Sequence, residues 1–317
     1  MTAVATTPTS TPSPPTSHQN TWLTRFALGA LIGNVLIVLT GGAVRLTASG
    51  LGCPTWPTCT EESYTNTPEL GIHGYIEFGN RLLGFVLSAL VGLAIIAAWR
   101  IRSQRPGLFK LALLQLGGVI AQAIIGGITV LTGLNPWTVA AHFLVSILLI
   151  SAAYLLWARS RPEPNNWITP APLRALSWVL LGLTFIAIAI GTIVTGSGPH
   201  SGDEAATRTG FDPESISQLH ADSVFALLGL SLAMPFALKL AKAPAHINRA
   251  VLLLLLAEVV QGAIGAVQYF TGLPVLAVAM HMLGACLVWL AAVHLVGSIT
   301  GLSQPAPTTL PTSATPR

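Results

Sequence analysis

Residues 122–142 read QAIIGGITVLTGLNPWTVAAH, and residues 261–281, which follow 139 positions later, read QGAIGAVQYFTGLPVLAVAMH. The initial glutamine, the glycine four positions after it, the Thr-Gly-Leu triplet and the final histidine occupy matching positions in both stretches. A shorter echo lies earlier in each half, where residues 47–50 read TASG and residues 195–198 read TGSG. Recurrence of this kind indicates an internal duplication, so two similar halves in tandem are predicted.

The composition predicts that both halves lie in a membrane. Of 317 residues, 52% are hydrophobic and only 8% are charged, whereas soluble domains carry about 25% charged residues. So few charges cannot cover a water-soluble protein of this size, which excludes a soluble globular fold. The net charge of +4 does not indicate a nucleic-acid partner, because the basic residues lie in short loops between apolar runs.

Eight apolar runs have about the 20 residues that cross the hydrocarbon core of a bilayer. Three of them, 72–99, 216–238 and 250–270, contain ionisable side chains, which are costly inside a membrane and usually functional. The other five lack charged residues and cover 26–44, 111–134, 137–158, 175–195 and 275–299. We therefore predict an all-α integral membrane protein with eight transmembrane helices, arranged as two tandem four-helix bundles.

The duplication and the apolar runs together divide the chain into segments. The N-terminal half is predicted to cover 21–158 and the C-terminal half 170–300, with a linker at 159–169. Segments 1–20 and 301–317 are rich in Pro, Thr and Ser and are predicted to be disordered tails. Lys and Arg concentrate on one side of the predicted bilayer and Asp and Glu on the other. This asymmetry predicts a multi-pass protein of the cell membrane, surrounded by lipid, with both termini and the linker in the cytoplasm.

Four histidines form a pattern across the two halves. His73, His142, His220 and His281 each stand near the outer end of the second, fourth, sixth and eighth span. A single histidine in a membrane helix is more often a hydrogen-bonding residue of a packed bundle, but four in equivalent places favour a ligand role. Imidazoles at similar depth on neighbouring helices can hold a haem iron between them. Zinc is disfavoured, because neither half offers further ligands at suitable spacing.

Two cysteines distinguish the N-terminal half. Cys53 and Cys59 enclose the sequence PTWPT in the first outer loop, and the C-terminal half has no such pair. Cysteines on the oxidising side of a membrane most often form a disulfide. Metal binding would need more soft ligands than this loop supplies. The pair therefore predicts a disulfide that braces the entrance to the first half.

The first outer loop and the next span carry a family resemblance. Residues 41–59, GGAVRLTASGLGCPTWPTC, and residues 76–81, IEFGNR, resemble the haem A synthase family, and the likeness extends over about 21–300. The resemblance implies a bacterial enzyme that oxidises haem O to haem A for terminal oxidases, converting the methyl group at carbon 8 to a formyl group. It further implies a haem b cofactor at His220 and His281, with the substrate haem in the N-terminal half. A redox role for the cysteine pair stays open.

The sequence departs from the family at one position of its second span. The family motif Glu-x-x-His-Arg reads Glu77-Phe78-Gly79-Asn80-Arg81, with asparagine where histidine is expected. The offset of the long repeat matches Asn80 to the residue before His220, whereas counting from the TASG and TGSG stretches matches His73 to His220. Two hypotheses follow for the substrate iron: His73 substitutes as a ligand beside His142, or His142 binds alone.

Glu77 is the predicted catalytic residue. It has no acidic counterpart in the second half, and a carboxyl group within a span could relay the protons of methyl oxidation. The alternative is a structural carboxylate paired with Arg81, one helical turn further on. Arg45 and Arg81 are predicted to bind haem propionates, or else to snorkel to the interface. Asp222 and Glu258 are candidates for helix packing or proton handling.

Two other functions fit part of the pattern. A bis-histidine haem b cytochrome that passes electrons between quinol and a partner would explain the histidines and the duplication, but not Glu77 or the cysteine loop. A repeat-built transporter would predict broken helices and polar groups near mid-membrane, whereas these histidines lie toward one face. For the enzyme we expect a haem O synthase, the terminal oxidase and an electron donor such as quinol or ferredoxin as partners.

Overall fold

The computed structural model describes residues 17–161 and 167–304, so most of the expected tails lies outside the described residues. The first helix begins at Ser17, within the stretch predicted to be an N-terminal tail. Within the two described ranges the long helices are α1 (Ser17–Leu46), α2 (Gly71–Arg100), α3 (Pro106–Leu131), α4 (Pro136–Ser160), α5 (Ala171–Ser197), α6 (Pro213–Leu240), α7 (Ala245–Phe270) and α8 (Val275–Thr300).

All eight helices are long and apolar enough to cross a membrane, and the described ranges contain no strand. The predicted all-α membrane fold with eight spans is therefore confirmed. The third predicted span was too long, because it reached residue 134 whereas α3 ends at Leu131.

The end of α3 is a turn that the duplication repeats at the end of α7. Gly133 and Leu134 have φ angles of 61° and 57°, and Gly272 and Leu273 have φ angles of 76° and 61°. A left-handed backbone ends a right-handed helix, and two successive left-handed residues cannot continue α3 as the apolar run suggested. Thr132 and Thr271 each donate a backbone hydrogen bond to the carbonyl four residues earlier, at 2.9 Å and 3.0 Å.

α4 and α6 each begin with a proline and a side chain that caps the helix. Proline opens α4 and α6, where its missing N–H is not needed. Asn135 accepts a hydrogen bond from the Trp137 N–H at 3.0 Å, and Asp212 accepts one from the Ser215 N–H at 2.8 Å. The Ser215 hydroxyl and N–H together hold the pKa of Asp212 below its ordinary value. The two caps fix where α4, which carries His142, and α6, which carries His220, begin.

The helices form a central group of four flanked by two pairs. α1, α4, α5 and α8 meet in one buried apolar cluster that includes Leu31, Ile150, Ile188 and Trp289. α2 and α3 pack on one side of this group, and α6 and α7 pack on the other. The loops after α1, α3, α5 and α7 lie at one end of the bundle, which we call the histidine end. The arrangement brings the two predicted halves side by side along α1, α4, α5 and α8.

The flanking pairs present large apolar side chains outward. Phe85 on α2 is 72% exposed and Phe236 on α6 is 73% exposed. Such a surface is unsuited to water but matches the hydrocarbon of a bilayer. Lipid is the environment that the described helices fit.

Candidate functional site

The C-terminal half brings two of the predicted histidines face to face. The ring centroids of His220 on α6 and His281 on α8 lie 6.4 Å apart, with an angle of 75° between the ring planes. Two metal–nitrogen bonds of about 2 Å each, together with half of each imidazole ring, account for a separation of roughly 6 Å. The distance therefore suits one metal ion between the two rings.

A glycine on the neighbouring helix makes room for each ring. A Cβ atom built at Gly191 on α5 would lie 3.1 Å from Cε1 of His220, and one built at Gly265 on α7 would lie 3.1 Å from Cε1 of His281. Contacts of this length are tighter than most side chains tolerate. Each imidazole therefore packs directly on a helix backbone, and the two Gly–His contacts form a cradle that we call the C-terminal cradle.

The two imidazoles of this cradle are held in different ways. A backbone hydrogen bond joins His220 to Ala187 of α5, whereas the buried Nδ1 of His281 has no hydrogen-bond partner among the described residues. A buried polar nitrogen without a partner is costly and calls for an explanation. Within residues 17–161 and 167–304, no three His, Cys, Asp or Glu side chains group together as metal ligands. A metal here would have to bring further ligands of its own, as a haem iron does.

The N-terminal half repeats half of this arrangement. A Cβ atom at Gly126 on α3 would lie 3.3 Å from Cε1 of His142 on α4, and the buried Nδ1 of His142 also has no partner among the described residues. Gln122 donates to the carbonyl of His142 at 3.1 Å, as Gln261 does to the carbonyl of His281 at 2.8 Å. The repeated glutamine therefore fixes the backbone that carries each repeated histidine.

Asn80 stands where the other half has His220. A Cβ atom at Gly41 on α1 would lie 3.8 Å from Nδ2 of Asn80, just as Gly191 on α5 faces His220. The Thr40 hydroxyl donates to Oδ1 of Asn80 at 2.8 Å. The structure thus favours the offset of the long repeat over the offset of the TASG and TGSG stretches.

His73 lies at the start of α2 and is exposed. Its Nδ1 is 2.8 Å from the Ser49 hydroxyl, in the loop that follows α1. At 1.5 Å rise per residue, the seven residues between His73 and Asn80 separate them by roughly 10 Å along the helix. The structure does not bring His73 to the level at which Asn80 faces Gly41.

The predicted disulfide joins Cys53 to Cys59. Both cysteines are fully buried, and the ring of Trp56 between them lies against Gly127 of α3, which leaves no room for a side chain there. The loop therefore covers the histidine end of the N-terminal half. Within the described part of the C-terminal half, no disulfide braces the corresponding loop between α5 and α6.

Glu77 and Arg81 hold this loop on α2. Glu77 is 5% exposed, and its Oε2 accepts a hydrogen bond from the Cys53 N–H at 2.6 Å. Its Oε1 accepts one from Arg81 at 2.7 Å. Arg81 also donates to the carbonyls of Cys53, Thr55 and Thr58, each at 3.0 Å. The structural pairing considered for Glu77 is present, and several donors of Arg81 are engaged by the loop.

Arg45 occupies a different position between the halves. Its guanidinium donates to the carbonyl of Thr195 on α5 at 2.8 Å, and it borders a cavity of about 130 Å³ together with Arg208 and His200. Two arginines and a histidine beside one cavity suit an anionic group such as a carboxylate. Acidic side chains, Asp203 and Glu204, also border it.

Sequence reasoning missed the partners of the histidines. Gly126 and Gly265 were recognised as repeated, but their place against the imidazoles was not predicted. Gly41 was noted only as part of the family motif, and Gly191 was not singled out. Their signal is the spacing of a glycine and a histidine on adjacent helices, which depends on loop lengths that the sequence does not fix. The Ser231–Glu258 hydrogen bond of 2.8 Å was likewise not predicted.

The fold and the cradles define a class of protein: a membrane-spanning, duplicated eight-helix bundle with paired histidine positions suited to haem. Residues 24–200 match the family model COX15-CtaA, described as cytochrome oxidase assembly protein. The chain belongs to this family.

Similar proteins are named Heme A synthase. The one from Methylobacterium radiotolerans is 34% identical over 243 residues, which cover 65% of this chain and 63% of that protein. The one from Geobacillus thermodenitrificans is 32% identical over 154 residues, covering 47% and 48%. The one from Lysinibacillus sphaericus is 36% identical over 142 residues, covering 44% and 45%. The matches thus span from about half to under two thirds of these relatives. The resemblance found in the sequence is confirmed at the level of the family.

Proposed function

We propose that this chain is a haem A synthase, which oxidises the carbon-8 methyl of haem O to the formyl of haem A. The observation that carries the proposal is the unequal pair of cradles. The C-terminal half has two facing histidines, whereas the N-terminal half has one histidine packed on a glycine, a buried acid and a disulfide-braced cover. This difference suits a division of roles in which one half holds a resident redox cofactor and the other half holds the substrate. The relatives named Heme A synthase support the same reaction.

His220 and His281 are the residues that would hold haem b in the C-terminal half. Their separation of 6.4 Å and the close backbone of Gly191 and Gly265 support this role. When bound, haem b supplies a one-electron redox centre. The surrounding helices orient the two rings and keep water from the site.

The N-terminal half is the proposed site for the substrate, haem O. His142 is the proposed ligand of the substrate iron, packed on Gly126 as His281 is on Gly265. An asparagine amide is a far weaker iron ligand than an imidazole, so Asn80 leaves the iron more open on its side. His73 stays the candidate second ligand from the sequence, and binding through its Nε2 would require α2 to bring it nearer.

Glu77 is the proposed proton-transfer group. Oxidation of a methyl to a formyl removes hydrogen from carbon, so the site needs a group that takes up protons. Glu77 is the only buried acidic side chain in the described part of the N-terminal half. Its hydrogen bonds to Cys53 and Arg81 also position the loop, so one carboxylate serves the cover and the chemistry. Arg45, beside the cavity between the halves, is the proposed propionate partner, with Arg81 the second candidate.

The proposed setting follows from the same asymmetries. The histidine end, with its disulfide, faces the oxidising side of a bacterial cell membrane, and both termini lie in the cytoplasm. The proposed partners are a haem O synthase, the terminal oxidase and an electron donor such as quinol or ferredoxin. The eight continuous helices give no support to a transporter, which would favour broken ones.

The test is to produce the protein with and without a haem O synthase in a host that lacks haem A, and to identify the extracted haems by mass spectrometry. We expect haem A, or hydroxylated haem O, only when both proteins are present. Haem b together with unmodified haem O would contradict the enzyme and support the electron-transfer cytochrome instead.

A further inference from the structure

The C-terminal half contains an acidic side chain that the proposed reaction does not use. Glu258 on α7 is 6% exposed, and Ser231 on α6 donates a hydrogen bond to its Oε1 at 2.8 Å. Its Oε2 is buried and has no hydrogen-bond partner among the described residues. A carboxyl group in this state is costly to keep in a bundle interior, so its presence calls for a role.

Glu258 lies on the helix face that carries the C-terminal cradle. It precedes Gly265 by seven residues, which is two turns of α7, so both face the same way and lie roughly 10 Å apart along the axis. Ser231 follows His220 by eleven residues, about three turns, and therefore shares its face of α6. The Ser231–Glu258 pair thus lies directly below the cradle, on the side away from the histidine end.

A polar layer separates the cradle from the apolar core of this half. Thr184 on α5 is buried and precedes Gly191 by seven residues, which is two helical turns. It therefore lies on the cradle face of α5, at about the depth of Glu258. Further from the histidine end, the interior is filled by aliphatic side chains such as Leu180, Met234 and Leu254. Glu258 is the acidic residue of this polar layer, which lies between the proposed haem b site and the aliphatic interior.

The charged and titratable groups of the neighbouring helices do not neutralise Glu258. On α6, Asp222 is exposed and hydrogen-bonded to Gln218. On α8, Cys286 packs in the cluster between the halves, and His294 contacts Tyr154.

The basic residues of these helices lie near the opposite end of the bundle, at Arg174, Lys239, His246 and Arg249. Tyr269, eleven residues after Glu258 on α7, is 53% exposed and lies near the histidine end. Among the described residues of α5 to α8, His220 and His281 are then the titratable groups nearest to the interior that holds Glu258, so a change of charge at their site is the one to which Glu258 would respond.

We infer that Glu258 is a redox-linked protonation site for the cofactor held by His220 and His281. When the electron donor, such as quinol or ferredoxin, gives one electron to a haem held by these histidines, one proton from solvent would bind Oε2 of the Glu258 carboxylate. Reoxidation releases both. The site loses one positive charge on reduction, and proton uptake by a nearby unpaired carboxylate compensates that loss. The inference rests on the proposed haem b site.

The experiment is a potentiometric titration of the purified haem-loaded protein with redox mediators, followed by haem absorbance at several pH values. In the wild type we expect the midpoint potential to fall as the pH rises, by up to about 59 mV for each tenfold change in proton concentration. Glu258→Gln keeps the size of the side chain and removes the titrating group. We expect it to keep the haem content and spectrum and to lose most of this slope. Glu214→Gln, which removes an exposed acid from the first turn of α6, should keep the wild-type slope.

A second measurement identifies the group directly. Infrared difference spectra between the reduced and oxidised protein should contain a protonated-carboxyl band in the wild type that shifts in heavy water and is absent from Glu258→Gln. Ser231→Ala retains the acid and should retain the band at a shifted frequency, so it tests the inference even where Glu258→Gln fails to fold.

The outcomes separate the two proposals. A wild-type protein without bis-histidine haem would overturn the proposed cofactor site and this inference with it. A wild-type haem spectrum with a pH-independent potential would overturn this inference alone. A Glu258→Gln protein that keeps the wild-type pH dependence of the midpoint potential would also overturn this inference alone.

Discussion

The two halves of the molecule share a scaffold and differ in the groups that fill it. Both end a helix with the same left-handed turn, and both fix a histidine backbone through a glutamine, Gln122 in one half and Gln261 in the other. The C-terminal half then offers a second imidazole, at His220, where the N-terminal half offers Asn80. Duplication has preserved the frame that orients a ring, while the ligand set and the cover diverged. The frame and the chemistry of this protein can therefore be tested separately.

The sharpest way to break the comparison is to remove one histidine from each half. His281→Ala should abolish haem b binding, because a single axial ligand then remains in a cradle shaped for two. His142→Ala should keep haem b and its bis-histidine spectrum but lose conversion of haem O. Haem content and visible spectra of the purified variants provide the measurement. Loss of haem b from His142→Ala would show that the halves do not divide the two haems in this way.

The next largest effect is expected at the acid that only the N-terminal half has. Glu77→Gln should lower the rate of haem O oxidation by roughly a hundredfold or more, the contribution typical of general acid–base groups. The amide preserves the size of the side chain and can still accept the hydrogen bond from Cys53. Glu69→Gln, which changes an acid just before α2, is the matched control and should retain the rate. Full activity of Glu77→Gln would leave that side chain only its structural pairing with Arg81.

Restoring the missing imidazole would sharpen the comparison. Asn80→His should give the N-terminal half two ring ligands, facing Gly41 and Gly126 as their counterparts face Gly191 and Gly265. We expect roughly tenfold tighter retention of haem O, which is about 1.4 kcal/mol, and a second low-spin haem signal. Electron paramagnetic resonance of the loaded protein measures both species. His73→Ala tests the other candidate ligand. Unchanged wild-type signals would exclude His73 as a ligand, and a lost signal would identify it as one.

The smallest effect is expected at a glycine of the C-terminal cradle. Gly191→Ala would press a methyl group against His220 at 3.1 Å, and overpacking of this kind costs about 1 kcal/mol or more. Haem b should therefore bind roughly fivefold more weakly. Gly182→Ala is the matched control on the same helix, because no atom outside the helix backbone lies within 4 Å of its added Cβ. Equal haem affinity in both variants would mean that the ring does not need the close backbone.

The sequence predicted the spans because the physics behind them is local. An apolar run of about 20 residues is suited to crossing a bilayer, so the eight helices could be counted from the hydropathy of the sequence. Two helix boundaries were misjudged. Leu134 continues the apolar run while its positive φ leaves α3, and α1 begins at Ser17, inside the predicted tail. Helix ends depend on backbone angles that hydropathy does not report.

The histidines of the candidate site could be predicted with certainty only where they lie inside the long repeat. His142 and His281 were matched by the constant offset, whereas Asn80 and His220 were reached by two counts that disagreed, because the loop before each has its own length. The contact of His220 with Gly191 and the bond between Ser231 and Glu258 join different helices without a repeated pattern. Pairings across helices become visible only when the bundle is assembled.

The position of α1 has a consequence for how this protein is made. α1 packs against α2 and α4 of its own half and against α8 of the other, and Tyr154 and Ser151 of α4 are bonded to His294 and Trp289 of α8. A ribosome delivers α1 long before α8, so the N-terminal half enters the membrane with part of its packing surface still facing lipid. Its final form therefore depends on the arrival of the last helix in the bundle, and a chain truncated before α8 should be a substrate for membrane quality control.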